Sequence, residues 1–219
     1  MLYGSDALLL SLSARAPGGP TAGPAGMCIL NCWQLMSWID QFPDDLVGTP
    51  LVATGGSMCK PVAAPLFRDA MCRLGAAVHV VTTDGPGGKA GFTATAVCSV
   101  SDDPATLLVC LNRRSQITAT LERNGVLCVN TLNADETEVA DTFAGRTGCV
   151  MVERFVVGRW TVLKSGSPVL SSAVVALDCQ IVEIKTVATH NIFFAVVEAI
   201  RHGPISPALL YHDRAYKRV

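Results

Sequence analysis

Charge is scarce in this chain. Asp, Glu, Lys and Arg make up only 16% of its 219 residues, and the formal net charge is −1. With so few charges and no basic stripe, nucleic acid is excluded as the main partner. Carboxylates are absent altogether between Asp84 and Asp102. No span reaches the ~18 apolar residues that a membrane helix needs. The apolar run 7–12 is short and has no basic residue before it, which argues against a secretory signal. No complete metal pattern is present either: Cys28 and Cys32 are close, but the second half of a zinc site is missing. Nor is there a Ser-His-Asp arrangement or a phosphate loop. The stretch Gly85-Pro86-Gly87-Gly88 precedes no helical pattern and lacks full dinucleotide-binding spacing.

Apolar residues, by contrast, are plentiful. Half of the chain is hydrophobic, enough for a full core and incompatible with general disorder. The nine cysteines are an odd, scattered set that fits a disulfide framework poorly. Cys98, Cys110, Cys128 and Cys179 sit in strand-like runs, where cysteine behaves as a small hydrophobe. A reduced, cytoplasmic protein is expected.

Residues 1–60 differ from the rest. Pro17, Gly18, Gly19, Pro20, Gly23, Pro24 and Gly26 crowd together and deny regular structure. A short apolar helix fits 27–39. The expectation is an irregular N-terminal arm over 1–60, either loosely attached or upstream of a true start at Met58, followed by one domain over 61–219.

From Leu66 the patterning becomes regular. Leu66, Phe67, Ala70, Met71 and Leu74 recur at helical spacing and Gly75 ends the helix. Strands are expected at 76–83, 92–100, 105–111, 126–132, 155–162, 173–187 and 191–201, with a last short strand or turn at 209–216. Short helices fit 115–123, stopped at Asn124-Gly125, and the segment from Asn133 to Gly145. Within 173–187 the polar phase shifts: Asp178 and Gln180 are even, Glu183 and Lys185 odd, which places a β-bulge near Val182. Many strands, few helices and no βαβ alternation indicate a mainly β fold, a closed antiparallel Greek-key barrel with short helices on its rim.

The stretch 89–115 organises the rest. The runs 92–100 and 105–111 flank the turn Ser101-Asp102-Asp103-Pro104 and then reach Asn112-Arg113-Arg114-Ser115, where Ser115 can cap a helix. A helix N-terminus with two arginines suits a phosphate, one arginine facing it and the other facing water. Upstream, Gly91, Thr93, Ala94, Thr95, Ser99 and Ser101 are small or hydroxylated. A wall with no carboxylate suits a flat ligand that becomes anionic. Flavin mononucleotide (FMN) has such a ring at one end and a phosphate at the other.

These residues stand in a longer ordered string. It comprises Phe67-Arg68-Asp69-Ala70-Met71, Thr82-Thr83-Asp84-Gly85, Gly91-Phe92-Thr93-Ala94-Thr95-Ala96-Val97-Cys98-Ser99-Val100, Leu127-Cys128-Val129-Asn130, Phe143-Ala144-Gly145, Glu153-Arg154-Phe155 and Thr189-His190. The string resembles the short-chain flavin reductases of two-component monooxygenases. That family includes the reductase component of 4-hydroxyphenylacetate 3-monooxygenase and the flavin reductase of pyrimidine utilisation. The resemblance spans roughly 65–219. It implies an FMN-binding split barrel, a homodimer, FMN or FAD as the flavin, NADH or NADPH as hydride donor, and a separate monooxygenase that receives diffusible reduced flavin.

By the same resemblance Thr93, Ala94 and Thr95 lie along the isoalloxazine, and Ser99, Val100 and Ser101 beside the ribityl chain. Asn112, Arg113 and Ser115 match the phosphate end, and His190 the nicotinamide side. Taken without the motif, these hydroxyls are ordinary half-buried strand residues and His190 an exposed turn histidine. Two departures concern backbone: Ala188 replaces the motif glycine, where φ > 0 would strain it, and Pro104-Ala105 replaces a Pro-Pro. Two alternatives use the same barrel: a reductase with tightly held flavin acting on a metal centre such as a cobalt corrin, and a flavin- or haem-binding module without turnover.

Overall fold

The computed structural model describes residues 61–219. The arm expected over 1–60, its helix at 27–39 and the Met58 start lie outside the described residues.

β2 (His79–Thr83) shows how the chain is layered. Val81 faces one core with Phe92, Val109, Leu121, Leu127 and Phe193. Val80 and the preceding Val78 face another, with Leu132, Val139, Phe143 and Leu170. The two-residue period of a strand makes both faces of one sheet apolar. That sheet has seven strands in the order β3-β2-β6-β9-β10-β5-β4. The other members are β3 (Ala90–Ala94), β4 (Val97–Asp102), β5 (Ala105–Asn112), β6 (Val126–Thr131), β9 (Val175–Val187) and β10 (His190–His202). Its ladders are all antiparallel.

The expected closed barrel is not formed. β3 and β4 are the two edges of the sheet, and no ladder joins them among the described residues. Yet only Thr95 and Ala96 separate these strands in sequence. The single strand expected over 92–100 therefore breaks at that link, leaving one edge of the sheet and entering the other. The Ala96 carbonyl accepts from Cys110 N–H at 3.0 Å, extending the β4–β5 ladder back into the link, so the two-residue link alone brings the edges near each other. The sheet is curled with an open seam.

α2 (Ile117–Asn124) turns Ile117 and Leu121 into the first core and ends on Gly125 at φ +65°. α3 (Thr137–Phe143) covers the other face with Val139, Ala140 and Phe143. The Phe143 ring lies against Gly91 so closely that a Cβ there would stand 2.7 Å from it. This close approach is why β3 carries a glycine.

The bulge read near Val182 is present: Glu183 pairs with Phe194 and Ile181 with Ala195, leaving Val182 unpaired. Three expectations are corrected. α1 (Ala64–Met71) forms with Pro65 in its first turn but stops at Met71, with Cys72 as its C-cap, rather than at Gly75; it buries none of its residues, and Leu66, Phe67 and Met71 are 63%, 55% and 46% exposed. The strand expected at 155–162 is a 3-10 turn (Glu153–Val156) followed by short β7 (Trp160–Val162), which pairs with β8 (Pro168–Leu170). Its cause is aromatic packing: Phe155 sits on Phe143 and Trp160, with centroids 5.0 and 5.2 Å away. The last segment is a hairpin, β11 (Leu209–His212) with β12 (Ala215–Arg218), joined to β1 (Ala76–Ala77).

Candidate functional site

The site is built around the end of β3. Thr93, Ala94 and Thr95 wall a cavity of about 210 Å³ whose far side is Arg146, Tyr211 and Tyr216. A second cavity, about 310 Å³, lies beside Phe92 and Thr93 and is bounded by Ser115, Ile117, Met151 and Arg154. Thr93 and Ala144 border both, so the two adjoin at Thr93. A third recess, about 440 Å³, is formed by Asn112, Arg113, Arg114, Ala188 and Thr189. Among the described residues, no carboxylate belongs to the wall of any of the three.

Each wall has a local cause. The Thr93 hydroxyl donates to the Ala140 carbonyl at 2.6 Å, fastening β3 to α3. That donor is therefore spent within the protein. Between β5 and α2 the chain turns tightly: Ser115 N–H donates to Asn112 O at 2.9 Å, and Arg114 N–H to Asn112 Oδ1 at 3.0 Å. The helix cap is Gln116 rather than the expected Ser115, which instead accepts a long 3.4 Å bond from Ile117 N–H. Ser115 remains in the wall of the second cavity at the start of α2.

The expected phosphate residues divide between two recesses. Ser115 faces the cavity that contains Arg154, whereas Asn112 and Arg113 line the third recess. Arg113 is exposed; its N–H donates to Thr189 O at 3.1 Å and its Nη1 to Ala188 O at 3.4 Å. Arg154 is half-buried and held by carbonyls, with Nη1 donating to Phe143 O at 3.2 Å and Nε to Cys149 O at 3.5 Å.

His190 opens β10 directly opposite Asn112 and is exposed, its Nδ1 2.9 Å from the Thr189 hydroxyl. Ala188, just before it, has φ +48°, the conformation its motif position demands and an alanine adopts at a cost. Ser99, Val100 and Ser101 lie on edge strand β4, where the register shifts between Ser99 and Ser101. The Ser101 hydroxyl donates to Asp103 O at 3.1 Å. None of the three walls the cavities above.

Sequence reasoning missed Arg146, Met151, Arg154, Tyr211 and Tyr216 as site residues. Arg154 and its neighbours belonged to the motif string, but nothing in their spacing points at β3. Burial, followed by the hydrogen bond to Asp141, pushes the Tyr216 phenol up to about 12, so it stays a donor.

The family model for the flavin reductase like domain matches residues 71–219. The chain belongs to this family. It is 54% identical over 157 residues to "FMN reductase (NADH) RutF" of Methylorubrum populi, covering 72% of this chain and 77% of that protein. Among solved structures it resembles BorF, the flavin reductase component of a bacterial two-component tryptophan halogenase. That match has TM-score 0.67 and 25% identity, over 72% of this chain and 98% of the other. It also resembles the Streptomyces globisporus NADH:FAD oxidoreductase SgcE6 bound to NAD and FAD fragments. There the TM-score is 0.67 and the identity 25%, over 74% and 96% of the two chains.

For a flavin reductase the donor set is chemically apt. Two adjoining recesses whose walls hold no carboxylate suit a flat, electron-accepting ring that gains negative charge. A hydroxyl, a helix start and a carbonyl-anchored guanidinium at one end suit a phosphate. The residues present fit FMN.

Proposed function

We propose that this chain is an NADH-dependent flavin reductase that reduces FMN and hands it to a separate flavin-dependent monooxygenase. The observation that carries this reading is the pair of recesses that adjoin at Thr93, one of them walled by Ser115 and Arg154. The 54% identity to an NADH-dependent FMN reductase supports FMN and NADH over FAD and NADPH. The likeness to BorF, itself half of a two-component system, supports delivery to a second protein.

Bound flavin supplies the redox chemistry by accepting a hydride from NADH. The protein's part is alignment and electrostatics. Thr93, Ala94 and Thr95 lie along the ring. Ser115, with Arg154 and Arg113 as candidate cations, holds the phosphate. Asn112 steadies the turn that presents Ser115. Ser99, Val100 and Ser101 lie towards the ribityl side on the β4 edge, and His190 meets the nicotinamide. Orientation within van der Waals contact provides most of the rate advantage of such a site.

The working form is a homodimer: the uncovered apolar side chains of α1, with Val182, Ile184 and Val187 at the far end of β9, supply a face for a second copy. Cys72, Cys110, Cys128, Cys149 and Cys179 are free thiols, which supports a reducing, cytoplasmic setting. No helix among the described residues is long and apolar enough to cross a membrane. The test is NADH oxidation with and without added FMN. A rate that requires FMN is expected; no flavin-dependent rate with either nicotinamide nucleotide ends the reading.

A further inference from the structure

The cavity beside Thr93 carries its own cation at the end away from Ser115. Arg146 follows α3, and its guanidinium lies over the Tyr216 ring, 5.7 Å from the centroid. Its Nη1 donates to Asp141 Oδ1 at 2.7 Å. The Tyr216 hydroxyl donates to the same oxygen at 2.9 Å. One carboxylate oxygen thus ties a guanidinium and a phenol together. Tyr211 packs beside the group, its ring edge-to-face with Tyr216 at 5.6 Å.

The orientation of this cluster gives it a sign. Arg146, Tyr211 and Tyr216 belong to the cavity wall, and Asp141 does not. The guanidinium is thus a wall group of the Thr93–Thr95 cavity, while the carboxylate that pairs with it lies outside that wall. For folding, the pair matters little: its side chains are 53% and 38% exposed, and such bridges contribute about 0–1 kcal/mol. Its placement has more consequence for what enters the cavity.

Resting on the flavin reading above, we propose that Arg146 faces the isoalloxazine and favours the reduced, anionic flavin over the oxidised, neutral one. A flavin whose phosphate lay near Ser115 and Arg154 would reach the Arg146 cavity across Thr93, which borders both. Hydride transfer converts NADH to NAD⁺ and turns the neutral ring into an anion, with no proton required. A fixed cation interacts with that new charge and hardly with the oxidised ring, so its effect is differential. Arg146 sets the potential of bound flavin and slows release of the reduced form, which meters delivery to the partner.

The test compares wild type, Arg146→Met and Arg146→Lys by anaerobic spectroscopic titration. Each gives the midpoint potential of bound FMN and dissociation constants for both redox forms. Arg146→Met should weaken reduced FMN roughly five- to tenfold more than oxidised FMN, with a correspondingly lower potential, and Arg146→Lys should restore most of the difference. Equal losses for both forms, or an unchanged potential in Arg146→Met, overturn the role of Arg146. Failure of the wild type to bind flavin overturns the flavin reading itself.

Discussion

Replacing Arg154 by Ala should cost FMN affinity and spare riboflavin, which has the same ring and no phosphate. Burial and anchoring set the magnitude. Arg154 is half-buried, its Nη1 and Nε are held by the Phe143 and Cys149 carbonyls, and it shares a cavity with Ser115. A guanidinium fixed in this way forms a charge-assisted hydrogen bond with little further ordering, worth about 1.5–3 kcal/mol, or roughly ten- to a hundredfold in dissociation constant. Arg113 is exposed and reaches towards Ala188 O in a different recess. Its contribution should be that of a surface ion pair, about 0.2–1 kcal/mol, or at most about fivefold. Quenching of flavin fluorescence, titrated with FMN and riboflavin against wild type, Arg154→Ala and Arg113→Ala, measures all of these. Equal losses of FMN and riboflavin on Arg154→Ala would refute the reasoning. A larger FMN loss on Arg113→Ala would return the phosphate to the Asn112–Arg113 recess.

Three further outcomes are expected. Burial lowers the His79 pKa from 6.5 to about 4, and its Nδ1 lies 3.0 Å from the Thr131 hydroxyl. Below 6.5 the unfolded chain therefore binds the extra proton, so this stability is full above 6.5 and is lost as pH falls towards 4. By about pH 5 the loss should approach ~2 kcal/mol, seen as a urea midpoint that drops further in wild type than in His79→Gln; parallel pH profiles would contradict it. Ala188→Gly relieves a φ of +48° and, after the entropy cost of glycine, should stabilise by about 0.5 kcal/mol; a fall in melting temperature would show that the turn is not strained. His190→Ala should raise the KM for NADH and leave FMN binding nearly unchanged, and the reverse pattern would place His190 on the flavin.

Features that repeat along the chain could be read from it, and features that depend on distant partners could not. The bulge at Val182 was visible because the polar residues change phase across it, from Asp178 and Gln180 to Glu183 and Lys185, although Asp178 is itself buried. The break at Thr95-Ala96 was not, since neither residue is a glycine or proline; there the chain leaves one edge of the curled sheet and enters the other. Strand count suggests a barrel, but closure depends on hydrogen bonds between β3 and β4 that no local propensity encodes. The amphipathic pattern of α1 specified a helix and a face without saying what covers that face. The apolar run at Phe155 reads as a strand until Phe143 and Trp160 are folded against it. Around the site, Thr93, Ala94, Thr95 and Ser115 lie in one stretch of motif and were legible together. Arg146, Arg154 and Tyr216 reach these cavities from the turn after α3, the 3-10 turn and β12, and only the fold makes them neighbours.

The most direct measurement is the structure of this protein crystallised with FMN. Density for the ring along Thr93–Thr95, with the phosphate at Ser115 and Arg154, is expected. A flavin bound anywhere else, with both Thr93 cavities empty, would contradict the assignment of this site.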